Sequence, residues 1–494
     1  MSSVESKKLL ANDQTAIKNY VGIYLPGGPC HHPFYPLYAT DDEWGENDNP
    51  YNISPYIGTQ ITDGAISYKT LKNLDGSPSD FRKFLPPVWN EYLDLANQSY
   101  FIRGISLPPA HFVYVNHFVP DSGKRGIHAI PSIANDSLPF ACAQWGVSNI
   151  PFNHDSKRPA IISNYRLSGQ KNNNEQSVQV PKDILNPFLS YNVKSINEAL
   201  QEKVDAALNK LKMIGENYNI NSKVLHNERI VAKELFTKSL EELLGSFQNK
   251  FEAYGNTIST ALNTPISGID DQEDISIGDG DKFNGFTSTN NNSTLNSYLG
   301  TSFNDELQTS MALADILLNG EGDVGQLTNS LLLTGGKLYL SGRENFLQND
   351  AHGVGSIPST FYFTKYYQCL LACLNKFRSN LIKNGKFRHT VIHITSEFGR
   401  SPKADESGSD HGGDAGCALI INGGITDPGI FGHVDLGAGD QDENYPGYWG
   451  QADGGGFQTE EIQGAIEDML GLDSDQKIAR SMSLKEFKGK KESS

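Results

Sequence analysis

Residues 386–424 decide the fold: Lys386-Phe-Arg-His-Thr-Val-Ile-His-Ile-Thr-Ser-Glu-Phe-Gly-Arg-Ser-Pro402, a polar loop, Ser409-Asp-His-Gly412, and then Cys417-Ala-Leu-Ile-Ile-Asn-Gly-Gly424. Two short, largely β-branched runs, 390–395 and 417–421, read as strands buried on both faces. Polar chemistry lies between them. Glu397 sits just past the carboxyl end of the first strand, and Asp410 and His411 sit just before the second. Open α/β sheets hold their ligand sites outside the carboxyl ends of strands, so this carboxylate and this Asp-His pair form a candidate metal half-site at one sheet edge.

Working outward, residues 361–381 carry the spacing of a long amphipathic helix, and Lys383-Asn384-Gly385-Lys386 is its stop signal. Before it, 337–340 reads as a strand leading to Asn349-Asp350-Ala351-His352-Gly353. Strand, helix, strand is the order of a βαβ unit, which implies two parallel strands. Asp350 and His352 flank one residue, so a bend turns both toward one centre; imidazole with carboxylate suits zinc, manganese or iron, and carboxylate-rich variants suit magnesium or calcium.

Further out, 20–25 is a strong strand ending in Pro26-Gly27-Gly28-Pro29-Cys30-His31-His32-Pro33. Residues 34–85 read as an irregular surface excursion. A helix over 89–95 precedes a strand over 100–105, which runs into Ser106 and on to His111; 112–118 is aromatic and β-branched, and fits a strand or a buried helix start. From 195 the apolar residues recur at three- and four-residue steps in two helices, and 265–303 has the Asn, Asp and Gly content of a mobile loop. Residues 307–318 are helical. Residues 422–456 read as a long Gly- and Asp-rich loop, 459–470 as a closing helix, and the lysines beyond 484 as a basic tail that frays. The chain thus divides into a polar segment 1–19, an α/β domain 20–480 with an inserted block at 195–303, and a tail 481–494.

With 494 residues a sizeable core is assured. A net charge of -17 argues against nucleic acid as a partner. No run of apolar residues reaches the length of a membrane span. Five cysteines lack the density of a disulfide framework, and Cys369 and Cys373, four apart in a helical pattern, read as core. The first nineteen residues show no export signal.

Arg400 follows Glu397 by three residues and fits either a fork onto phosphate or sulfate oxygens or an ion pair with Glu397. Ser106 is a hydroxyl near a strand end. His31, His32 and His111 are further ligands or acids, or loop histidines that cap backbone groups.

These motifs resemble the domain of unknown function 1501 family of the alkaline phosphatase and sulfatase superfamily. The resemblance lies in Gly27-Gly28-Pro29-Cys30-His31, Arg103 with His111, Asp350-Ala351-His352, the segment 396–402 with its Glu-Phe-Gly-Arg core, Asp410-His411, and the closing stretch 459–472. It implies a mainly parallel central sheet sandwiched by helices, a divalent-metal hydrolase edge, and export by the twin-arginine route. Members commonly carry an Asp where this chain has Pro33, and follow Asp-His with Trp where it has Gly412. Two functions are therefore expected. One is a metal-dependent hydrolase of a small phosphate or sulfate ester, with Asp350, His352, Glu397, Asp410, His411, His31 and His32 as ligands to zinc, calcium, magnesium or manganese, and Arg400, Ser106 and His111 as catalytic groups. The other is a non-catalytic surface or assembly scaffold that keeps the fold and binds a protein partner.

Overall fold

The computed structural model describes residues 17–31, 33–36, 81–106, 118, 126–127, 131, 138, 140–146, 161–163, 245–266, 299–303, 305–320, 325–336, 338–340, 356–402, 409–412, 416–433, 435–436, 449–450, 456–472 and 482–491. Its strands are, in chain order, β1 (Asn19–Leu25), β2 (Ser99–Ile105), β3 (Ala143–Trp145), β4 (Ile161–Ser163), β5 (Leu299–Phe303), β6 (Ser330–Thr334) and β7 (Leu338–Leu340). They continue with β8 (Thr390–Ser396), β9 (Gly399–Pro402), β10 (Ser409–Gly412), β11 (Gly416–Ile421), β12 (Gly429–Phe431), β13 (Asp435–Leu436) and β14 (Trp449–Gly450). The helices are α1 (Leu93–Ala96), α2 (Asp305–Asn319), α3 (Ser356–Lys383), α4 (Thr459–Met469) and α5 (Leu484–Gly489), with a further helical run at 245–262.

Among the described residues the main sheet has eight strands in the order β12-β2-β11-β8-β1-β6-β3-β4. β8, β1, β6, β3 and β4 pair in parallel, as do β2 and β12. β11 alone runs against its neighbours β2 and β8. The expected α/β class with a mainly parallel sheet between helices is therefore present. Alternate residues of each strand face opposite layers. Val21, Ile23, Leu25, Ile392 and Ile394 join one buried cluster with side chains of α2, α3 and the 245–262 helix. Tyr20, Tyr24, Val391, Ala418 and Ile420 join the other, with Ile462, Ala465 and Ile466 of α4 and Phe487 of α5.

Several expectations are corrected at this level. The strand expected at 337–340 is present as β7, but it pairs with β5 in a separate antiparallel ladder, and the main-sheet strand that precedes the long helix is β6. β6 and β8 are parallel but not neighbours, because β1 lies between them, so the α3 connection crosses over β1. Within 265–303, Leu299–Phe303 is a strand. Within 422–456, β12 is an edge strand of the main sheet and β13 pairs with β14. The stretch 89–95 is a 3-10 turn, Pro87–Tyr92, leading into α1.

The stop of the long helix follows its sequence signal. Gly385 takes φ 67, and Lys386 N–H donates to the Leu381 carbonyl at 2.8 Å, which closes the helix with a left-handed residue just beyond its end. Cys369 and Cys373 are buried in that helix, as expected, and all five cysteines are free thiols.

Residues 482–491 of the basic tail are docked on the fold, where fraying was expected. Ser483 caps α5: its hydroxyl accepts from Glu486 N–H at 3.3 Å while Glu486 accepts from Ser483 N–H at 2.8 Å. Phe487 is wholly buried, stacked on Phe431 at 4.8 Å between ring centroids and lying 5.3 Å from Phe457. Gly432 N–H donates to the Lys490 carbonyl at 3.1 Å, and Phe431 bridges to Lys491, so the tail covers the outer edge of β12. No described helix is long and apolar enough to cross a membrane.

Candidate functional site

The parallel strands set one polar edge. β1, β8 and β2 all end there, and the reversed β11 begins there, because Gly416 pairs with Ile105 while Ala418 pairs with Thr395. An antiparallel strand returns the chain just before it to the edge where its neighbour ended. The hairpin β9–β10 therefore stands over the carboxyl end of β8, with His411 in register with Arg400 and Asp410 in register with Ser401.

At the end of β8, Glu397 is buried, with 5% of its surface exposed. Its Oε1 accepts a hydrogen bond from the Tyr24 hydroxyl at 2.5 Å. Tyr24 lies next to Thr395 in the β1–β8 register, so its ring reaches diagonally to the residue two further on. Tyr20, four residues and two pleat repeats earlier on the same face, repeats the geometry. It pairs with Val391, and its hydroxyl shares a hydrogen bond of 3.0 Å with His393 Nδ1. Burial depresses the His393 pKa from 6.5 to about 3, so the ring is neutral in the fold.

At the end of β1, Gly27 and Gly28 take φ 87 and 63, a left-handed pair that only glycine adopts cheaply, and they turn the chain toward His31. His31 is buried, and its Nε2 shares a hydrogen bond of 2.7 Å with the Ser396 hydroxyl. Tyr35 packs edge-on against the His31 ring, with centroids 5.4 Å apart. Below it Phe34 stacks on Tyr367 at 4.4 Å, and the Tyr367 hydroxyl donates to the Cys30 carbonyl at 2.9 Å. Burial, with Cys417 and Tyr366 nearby, raises the Tyr35 pKa well above its ordinary value, and burial raises that of the Cys417 thiol despite Arg103. Both stay protonated.

Ser396 and Glu397 are successive residues, so their partners His31 and Tyr24 hold them from opposite faces of the sheet. Ser106, half-buried just past β2, lies at the same edge, with its N–H on the Phe457 carbonyl at 2.9 Å. It is two strands away from Glu397, a lateral step of about 10 Å. Of the other predicted residues, Arg400, Asp410 and His411 are placed by backbone register, and their side chains lie outside the described residues. His32, His111, Asp350 and His352 lie outside the described residues altogether. Among the described residues no three His, Cys, Asp or Glu side chains group closely enough to hold an ion.

Sequence reasoning missed Tyr24 and Ser396, and with them the two hydrogen bonds that orient Glu397 and His31. A signal for Tyr24 exists: in the parallel register of 20–25 with 390–396, a tyrosine pairing two residues before a carboxylate reaches it diagonally.

This geometry defines a mixed, mostly parallel α/β protein with His31, Ser396 and Glu397 buried at the carboxyl edge of its sheet. Residues 372–477 match the family model described as protein of unknown function (DUF1501), which supports the family that the motifs resemble. The match takes in Glu397, Arg400, Asp410 and His411. No curated protein matches the chain. Among solved structures the chain is similar to the crystal structure of Ps i-CgsB, at 9% identity over 95% of this chain and 75% of that one, with a TM-score of 0.30. At that score the likeness carries no argument about fold or function.

Proposed function

We propose that this chain is a metal-dependent hydrolase of phosphate or sulfate esters, an alkaline-phosphatase-like member of its fold class that works at the carboxyl edge of β1, β8 and β2. The observation that carries the reading is the reversed β11, which returns the Asp410-His411 hairpin to the edge where Glu397 ends β8. The donor chemistry fits a divalent ion. Glu397 is a buried, oriented carboxylate, and the chain segment standing over it carries a carboxylate and an imidazole at successive positions. Glu397, Asp410 and His411, with Asp350 and His352 from the segment before α3 and with His31 or His32 from the β1 loop, are the residues that would hold zinc, calcium, magnesium or manganese.

Such an ion supplies charge neutralisation at the ester oxygens and a lowered pKa for a bound water. The chain's own part is recognition and proton handling. Arg400, in register with His411, offers a planar fork to the anionic oxygens, while Ser106 and His111 are the hydroxyl and imidazole for nucleophile and proton transfer. Elemental analysis of purified protein should find a divalent metal at near-stoichiometric level, and chelation should abolish cleavage of an aryl phosphate or aryl sulfate. Metal-free protein with no metal-stimulated cleavage of either ester would remove the hydrolase reading.

A second reading has its own observation. Glu397 and His31 are each tied to a neighbouring side chain, Tyr24 and Ser396, which is how buried polar groups hold a fold together. A scaffold that binds a protein partner needs no more than that. It predicts that Glu397→Gln lowers the melting temperature while the protein carries no metal.

A further inference from the structure

Tyr24 has no part in the chemistry described so far, yet its hydroxyl bonds the buried carboxylate at the carboxyl end of β8. Its ring is buried in the centre of the sheet, and its backbone is held on both sides: Gly335 N–H donates to the Tyr24 carbonyl at 2.7 Å, and the residue pairs with Thr334 and Thr395. Glu397 is buried beside it, so neither partner has rotamer freedom to spare. A phenol is an uncharged donor. It aims a carboxylate by a strong charge-assisted hydrogen bond without cancelling the negative charge that a cation needs, which a Lys or Arg in its place would do.

We infer that Tyr24 is the positioning residue of the proposed metal site: its hydroxyl, bonded to Glu397 Oε1, sets the carboxylate plane and so the direction in which Glu397 offers lone pairs to a divalent ion. This rests on the metal-dependent reading above. The fold supplies a matched control in Tyr20, which sits on the same strand and face but spends its hydroxyl on His393, four residues before Glu397. Partners that orient a metal ligand typically change metal affinity 10- to 100-fold when removed, roughly the size of effect to look for.

The test is direct titration of the metal-free full chain with zinc and with manganese, read by competition with a chromophoric chelator, for wild type, Tyr24→Phe and Tyr20→Phe. Tyr24→Phe should weaken the Kd by about 10- to 100-fold, and Tyr20→Phe should leave it unchanged. Should Tyr24→Phe not fold by circular dichroism, a fluorotyrosine at position 24 tests the same bond in the native shape, and its more acidic hydroxyl should shift the Kd. Tight wild-type binding that neither change at position 24 alters would overturn the role of Tyr24 and leave the metal site standing. Absence of binding by wild type would overturn the metal reading itself, and the role of Tyr24 with it.

Discussion

At the residue scale, two buried tyrosines of β1 each bond a polar side chain of the β8 segment, Tyr20 to His393 and Tyr24 to Glu397. His393 is closed in by Tyr20 and Phe118, and its pKa falls from 6.5 to about 3 through burial. An unfolded chain takes up a proton at this residue below pH 6.5, whereas the folded chain refuses it until about pH 3. Stability from this group is therefore complete above pH 6.5 and is lost as pH falls toward 3, with a slope of up to about 1.4 kcal/mol per pH unit. Urea unfolding at pH 7, 5.5 and 4.5 should show wild type losing more stability than His393→Gln, which keeps a polar partner for Tyr20 but cannot titrate. Equal losses in the two proteins would mean that His393 takes up its proton at the same pH in the folded and unfolded chain, so that burial does not depress it.

At the element scale, what was legible followed from burial, and what was not followed from direction and length. Residues 390–395 and 417–421 read as strands because β-branched and apolar side chains fill both faces, and they fall within β8 and β11. The same pattern hides strand direction: a strand covered on both sides reads alike whichever way it runs, so the reversal of β11 was not visible. β6 was missed because Ser-Leu-Leu-Leu-Thr is too short to show a period and leucine favours helices. The tail was misjudged because four lysines dominate its composition, while Ser483, Glu486 and Phe487 determine its structure. Phe487→Ala removes a ring buried against Phe431 and Phe457 and should destabilise the tail's docking by about 3–5 kcal/mol. Hydrogen exchange should then rise across 482–491 and along 429–432, where Gly432 bonds to Lys490. Unchanged protection at both segments would show that the tail is not held by this ring.

At the scale of the whole molecule, the sheet does the gathering. The order β2-β11-β8-β1, with one strand reversed, sends Ser106, the Asp410-His411 hairpin, Glu397 and the His31 loop to a single edge, although His31 and Ser106 precede Glu397 by 366 and 291 residues. The sequence showed the residue types and their strand-end positions, and the topology supports their meeting. Tyr24 stayed hidden because a tyrosine inside a buried strand reads as packing.

The most direct measurement is a crystal of the full chain grown with zinc or manganese, with anomalous data collected at the metal's absorption edge. The account predicts a peak at roughly 2.0–2.6 Å from a Glu397 carboxylate oxygen, with His411 or His352 in the same coordination shell. A chain loaded with metal that shows no peak beside Glu397, or holds Glu397 and His411 too far apart to share an ion or adjacent ions, would contradict it.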